Sequence, residues 1–417
     1  MEGLSNHPLL QPAVVTKVVD SIQIDADQYP LSTEVPFITQ EGSKVVIDVR
    51  QRMGGMTMAV APGAESPIIE KRGVQQDQFS PASFREKVLL GEKDVLNLRK
   101  LGTASELQTA QETVTDILGQ LRYRVENRIE WLKWAMIQGT IAIAQKDVQF
   151  TVNYGIPSFC LPTLTGADRW NQITGKPLTN ILTWLEGYDQ ESPDPWYMTY
   201  NGHMENMLLL NTEIRELRDS LFTGQSDPSM LTRANIQQVF DAYAGLPIRV
   251  NTKGYWLVAG TTAALAPGAT SIAVDDATGY ATGDIVTVVH KDGTRSGLIK
   301  LTLTSVTGNA LGFAALGGAI TYPMGSEIRV KKPFIPSNKF IIRGQLPPGT
   351  TGGTNFAEFI STNHVYGPGG LMAPVPGIFS KFLNKAEDDP PSLQMLMGVT
   401  GLPVLYWPTT NIVATTF

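Results

Sequence analysis

The sequence predicts an α+β protein with an inserted all-β segment. Three observations carry this. One long run of apolar residues recurs at helical spacing in the first third. Short β-rich runs are scattered over the remainder. Over residues 257–330 no helical period survives at all. With 417 residues, 42% of them hydrophobic, the chain can bury sizeable cores, and its length fits about two to four structural units.

Residues 1–40 are punctuated by Pro8, Pro12, Pro30 and Pro36 and mix polar and apolar residues without a helical period. They read either as a disordered tail or as an arm ordered by a neighbouring subunit. Residues 44–72 read as a long hairpin. Lys44–Arg50 is β-rich, Gly54-Gly55 breaks the chain, Met56–Val60 resumes, and Pro62-Gly63 is a further turn signal. A two-stranded ribbon is marginal alone in water, so it must lie on its own body or on another subunit. Phe79-Ser80-Pro81 then leads into a helix-like stretch ending near Lys100.

Thr103 and Glu106 form a capping box. From there Leu107, Ala110, Val114, Ile117, Leu118, Leu121, Val125, Leu132, Ala135 and Met136 mark one helix that stops at Gly139. It is a rod of roughly 50 Å, and Arg122, Arg124, Glu126, Arg128, Glu130 and Lys133 are read as its solvated exterior. A strand over Asp147–Tyr154 follows, then helices over Leu178–Gly187, Asn201–Leu221 and Leu231–Tyr243, and a short strand Ile248–Asn251. In the β-rich insert the strands are Ser271–Val274, Asp284–Val289, Ser296–Ser305, Ala310–Phe313 and Glu327–Val330. Turn signals such as Pro267-Gly268 and Asp292-Gly293 separate them, which suggests a small sandwich or barrel. Phe340–Arg343, Leu402–Trp407 and Asn411–Ala414 supply strands that close the parent domain.

Charge excludes some functions. The net charge is −6 and the longest basic runs are Lys71-Arg72 and Lys331-Lys332, so this is no strongly basic nucleic-acid binder. Charged residues make up 17%, below the usual ~25%, which fits a surface largely covered by neighbours. A single cysteine, Cys160, cannot form an intrachain disulfide and reads as a small buried hydrophobe between Phe159 and Leu161. The start of the chain lacks a secretory pattern, and no run approaches ~18 apolar residues. The expectation is a cytoplasmic protein with no membrane partner.

No catalytic constellation emerges. The histidines, His7, His203, His290 and His364, show no zinc-binding spacing. There is neither a Walker-type phosphate cradle nor a nucleophile elbow, and Gly344–Gly353 reads as a loop. Glu387-Asp388-Asp389 before Pro390-Pro391 reads as a solvated turn, as does Asp275-Asp276, where a calcium site is the alternative. Trp131 and Trp134 are expected to pack against another helix or subunit. No metal or cofactor is expected.

The order of these parts resembles the phage major capsid protein E family, the lambda-type major head proteins, which share the Hong Kong 97 capsid fold. The residues that carry the likeness are Glu70-Lys71-Arg72-Gly73 with Gln78-Phe79-Ser80-Pro81, and Arg124-Val125-Glu126 with Met136-Ile137-Gln138-Gly139. Further along they are Lys332–Lys339, Asp388–Pro391 and Leu402–Leu405. The likeness spans roughly residues 35–417, interrupted by the insert.

The resemblance implies an N-terminal arm over 1–40, an extended loop over 41–85 laid on a neighbour, and a peripheral domain with its spine helix over 86–155. It implies an axial domain over 156–256 and 331–417, with the β domain at 257–330 inserted. It further implies that the chain assembles with itself into hexamers and pentamers of an icosahedral head. That head encloses double-stranded DNA without sequence-specific binding. A separate scaffolding protein, a portal and a decoration protein are the further partners it implies. Lys44, Arg50, Arg52, Lys71 and Arg72 are the candidate intersubunit contacts. Two other functions stay open on the sequence: a virion binding or decoration protein recognising carbohydrate or protein through the β insert, and a hydrolase using Asp388 or His364.

Overall fold

The computed structural model describes residues 25–49, 75–91, 110–145, 148–191, 195–221, 233–291, 298–317, 320–344, 355–369, 373–385 and 392–417. Within them lie three sheets of four or more strands, each with its own core.

The first sheet is organised by one fourteen-residue strand, Ser392–Leu405. Along one side it pairs with Ala82–Gly91, from Ser392↔Gly91 to Gly401↔Ala82. Along the other it pairs first with Ile378–Lys385 and then with Ala357–Ser361. Phe37–Thr39 adds to the last of these in parallel. Across this sheet lies helix α1, Ala110–Ile137. Met395, Met397 and Val399 from the strand and Leu118, Leu121, Val125 and Leu132 from the helix are buried in one core. Each such side chain contributes about 1.5–3 kcal/mol by leaving water. At ~1.5 Å per residue the described helix is about 42 Å long. It ends where Gly139 takes φ 94°, donating its N–H to the Met136 carbonyl at 2.9 Å. The chain then turns into a hairpin, Thr140–Gln145 with Val148–Asn153.

The predicted helix after Pro81 is, over its described part, the strand Ala82–Gly91. Its residues Phe84-Arg85-Glu86-Lys87-Val88-Leu89-Leu90 favour helix intrinsically. A ten-pair ladder with Ser392–Gly401 overrides that preference, and alternation sets the faces: Leu90 is buried while Leu89 is exposed. The predicted ribbon has its first strand, and the partner of that strand lies beyond residue 72. Val45–Val49 pairs with Gln75–Phe79, whereas Met56–Val60 lies outside the described residues, as does the cap at Thr103.

The second sheet has the order Asn411–Thr415, Lys339–Gly344, Pro195–Asn201, Ile248–Asn251. Helices α2 (Pro177–Glu191), α3 (Gly202–Leu208), α4 (Thr212–Leu221) and α5 (Arg233–Ala244) accompany it. Phe340 sits at its centre, 5.0 Å from the Trp170 ring and 6.0 Å from Tyr200. The single helix predicted over Asn201–Leu221 is two. The buried Asn211 donates to the Gly175 carbonyl at 2.7 Å and accepts from the Ile214 N–H at 3.3 Å, so it caps α4 and ends the continuity.

The third sheet is the insert. Six strands run in the order Ser271–Ala273, Ala310–Phe313, Ile299–Thr307, Ile285–Val289, Glu327–Pro333, Gly254–Gly260. Val286, Val288, Leu303, Leu311, Phe313 and Tyr322 are buried in a core of its own. Its first and last strands pair antiparallel down to Pro333↔Gly254, so the chain leaves and rejoins the body at one place.

Candidate functional site

The first element of the candidate site is the hairpin Val45–Val49/Gln75–Phe79. Val45 is fully buried and Phe79 packs on the first core, so the base of the hairpin is fixed. Val49 pairs with Gln75, so these two residues lie side by side at the end of the described hairpin. Lys44 is exposed just before the first strand. Arg50, Arg52, Lys71 and Arg72 lie outside the described residues.

The second element is the segment 25–40, which two buried polar clusters hold. At the first, the Leu31 N–H donates to Glu130 Oε1 at 3.1 Å and Lys133 Nζ donates to the Leu31 carbonyl at 3.5 Å. Trp134 Nε1 donates to the same Glu130 oxygen at 3.0 Å. One turn back, the Tyr29 hydroxyl donates to Asn127 Oδ1 at 3.2 Å. Burial raises the Glu130 carboxyl to about 7 against the opposing pull of Lys133, and burial lowers the Lys133 ammonium.

The second cluster is centred on Glu34. Its carboxylate accepts from the Tyr197 hydroxyl at 2.7 Å, from Arg343 Nη2 at 2.9 Å and from Arg249 Nη1 at 3.1 Å. Arg343 is itself fully buried. It donates to Asn411 Oδ1 at 2.7 Å and lies 4.2 Å from the centre of the Phe356 ring. Glu34 is thus tied to the second sheet through Tyr197, Arg343 and Arg249, while Leu31 is tied to α1. Burial pushes the Tyr197 hydroxyl up to about 12.

Sequence reading missed both clusters and placed Glu130 and Lys133 on a solvated face. They are 1% and 4% exposed. The reason is that α1 is covered on more than one side: by the first sheet, and by segment 25–40. The signal available was the i, i+3 placement of Glu130 and Lys133 among the apolar Ile129, Leu132 and Trp134. Arg128 is likewise enclosed, between the rings of Phe84 at 5.2 Å and Trp131 at 5.4 Å. Arg124 remains half exposed and pairs with Glu86 at 2.9 Å. Arg124, Arg128 and Trp131 floor a cleft of about 380 Å³ between α1 and the insert.

The residues considered for chemistry have structural partners. His364 lies 4.3 Å from the Phe379 ring, accepts the Tyr366 N–H on Nδ1, and is driven down to about 4 by burial. Cys160 is buried and its thiol is pushed up to about 12 by burial. Asp275 accepts from the N–H groups of Gly260 and Asp276, and Asp276 from that of Thr278, each at 2.8 Å. These bonds shape a loop. Asp388 lies outside the described residues.

Residues 24–287, more than half of the chain, match the model of the phage major capsid protein E family. The chain belongs to that family. It is a major capsid protein, a structural subunit of a phage shell. Its place is the virion capsid. Solved structures similar to this capsid protein include a phage-related protein from Bordetella bronchiseptica RB50. It is 11% identical, covers 98% of this chain and 97% of that one, and has a TM-score of 0.48. A putative prophage capsid protein from E. coli CFT073 is 11% identical over 98% and 99% of the two chains, TM-score 0.48. A virus-like particle from Pyrococcus furiosus is 10% identical over 97% and 96%, TM-score 0.40.

Proposed function

We propose that this capsid protein assembles into hexamers and pentamers that close an icosahedral head around double-stranded DNA. Assembly takes place in the host cytoplasm with a separate scaffolding protein and a portal. The observation that carries this reading is the family match combined with the hairpin Val45–Val49/Gln75–Phe79, whose base is packed on the first core. In this reading the loop over 41–85 buries its surface on an adjacent copy, and closed symmetry repeats that contact around the shell.

In this reading residues 1–40 form the arm, 41–85 the extended loop and 86–155 the peripheral domain. Residues 156–256 and 331–417 form the axial domain, and 257–330 the insert. Lys44, Arg50, Arg52, Lys71 and Arg72 supply charged contacts across the loop interface, and the protein catalyses no reaction. The net charge of −6 suits a wall that contains DNA without gripping it. The test is charge reversal at these five residues, singly and together, with assembly followed by sedimentation. Progressive loss of fast-sedimenting particles with an unchanged subunit fold supports the assignment. Undiminished assembly of the fivefold variant contradicts it.

A further inference from the structure

The six-stranded sheet of the insert buries one face and leaves the other open. Val286, Val288, Ile328 and Val330 alternate into its core. Their neighbours along the same strands, Ile285, Thr287, Arg329 and Lys331, point the opposite way. Cross-strand pairing extends this outer face: Lys331 lies beside Trp256, and Arg329, Thr287 and Lys300 share one row. Trp256 is 51% and Ile285 62% exposed, so the described residues leave these side chains largely uncovered.

This face is basic in an acidic chain. It carries Lys300, Arg329 and Lys331 against the acid Glu327, while the whole chain has a net charge of −6. Glu327 pairs with Arg329. Among the described residues Lys332 pairs with Asp284, whereas the exposed Lys300 and Lys331 hold no ion pair. Two ammonium groups are therefore available to an anion beside an exposed indole. Neighbouring strands lie about 4.8 Å apart, so Arg329 and Lys300 are about 10 Å apart across their row.

Shape narrows the class of ligand. Strands Glu327–Pro333 and Ile285–Val289 are each paired on both sides. They offer side chains and no backbone edge, and an extended peptide that joins a sheet does so at an edge. From Trp256 to Lys300 the patch is about 15 Å across and about 7 Å along the strands. That is far below the ~800 Å² per partner of a standard protein interface. A sugar ring needs neither an edge nor a large area. Its C–H face stacks on an indole, and a carboxylate on the ring accepts charge-assisted hydrogen bonds from lysine and arginine.

We propose that the open face of the insert binds an acidic polysaccharide, with Trp256 as the stacking platform and Lys331, Lys300 and Arg329 as the carboxylate contacts. This adds a binding function to the shell subunit. The site belongs to the single chain. Its strength on a particle rests on the shell reading, because many copies on one surface turn weak contacts into a lasting one.

The probe is polygalacturonate, with neutral dextran and polyglutamate as controls. Unassembled full-length subunits are titrated by calorimetry, and particles verified by electron microscopy are assayed by co-sedimentation. The proposal expects polygalacturonate to bind in preference to both controls. Trp256→Ala and the double variant Lys300→Gln/Lys331→Gln should each weaken binding at least about tenfold with an unchanged melt. The two variants alter different exposed side chains, so either one tests the site if the other fails to fold. No binding by folded subunits would overturn the proposal, and so would binding that the substitutions leave unchanged. Equal affinity for polyglutamate would also overturn it, since the face would then select charge alone. Binding by subunits that never form particles would remove the shell reading and leave this site standing.

Discussion

The carboxylate of Glu34 and the guanidinium of Arg343 meet at 2.9 Å although 309 positions separate them. Both side chains are almost fully buried, 8% and 1% exposed. The pair ties segment 25–40 to the second sheet, so its disruption has a defined cost. Removing one member leaves a buried charge without its partner, which costs roughly 3–5 kcal/mol. Glu34→Ala is expected to lower the urea midpoint of the unassembled subunit accordingly. Replacing Arg249, which is half exposed, is expected to cost under about 1 kcal/mol.

The Glu130 contact carries a pH dependence whose sign follows from its cause. Burial raises its folded-state pKa from 4.5 to about 7. Its stabilising contribution is therefore complete below about 4.5 and is lost as pH rises through 7. Charged and titratable groups around it are Lys133 and Glu126 on α1, and Tyr29 on the segment above. Glu130→Gln is expected to flatten subunit stability between pH 5 and 7, read from denaturant midpoints across that range. An unchanged slope would remove Glu130 as its source.

His364 acts in the opposite direction. Its folded-state pKa is lowered from 6.5 to about 4, so the contribution is present above 6.5 and is lost as pH falls through 4. His364→Phe, which keeps a ring on Phe379, is expected to reduce acid destabilisation over that window. Comparing it with Glu130→Gln separates two slopes that partly cancel in the parent protein.

Two glycines give opposite expectations. A Cβ on Gly398 would lie 2.3 Å from the Phe84 carbonyl oxygen and 2.8 Å from both Arg85 Cβ and Phe379 Cζ. Gly398→Ala should force the central strand from its neighbour and cost roughly 1–3 kcal/mol. Gly119, inside α1, meets nothing within 4 Å. Gly119→Ala should stabilise by about 1 kcal/mol. Thermal melting of the two variants should move in opposite directions.

The insert should be removable. Gly254 pairs with Pro333, and the Phe334 N–H donates to the Lys253 carbonyl at 3.2 Å, so a short glycine link can join residues 253 and 334. The shortened chain should keep a cooperative melt, because the insert's core is separate from the other two. Loss of all cooperativity would mean the cores depend on each other.

Local pattern made much of this architecture legible. The stop of α1 at Gly139 and five of the insert's six strands follow from periodicity and turn residues; Gly254–Gly260 does not. What eluded it depended on distant partners. Ala82–Gly91 is a strand because Ser392–Gly401 lies beside it. Pro195–Asn201 and Thr140–Gln145 are strands that no clear alternation announced. Glu130 and Lys133 were read as solvated because helical spacing does not reveal what covers a second face. The Glu34 cluster joins residues from four separate stretches of chain, and no spacing rule brings those together.

The central claim is that this chain builds a shell, and direct imaging tests it best. Negative-stain electron microscopy of the purified protein, alone and with a co-expressed candidate scaffolding protein, beside a size-exclusion trace, should show rings of five or six subunits or hollow angular particles. A monodisperse monomer that never assembles, even with scaffold and at high concentration, would contradict the account.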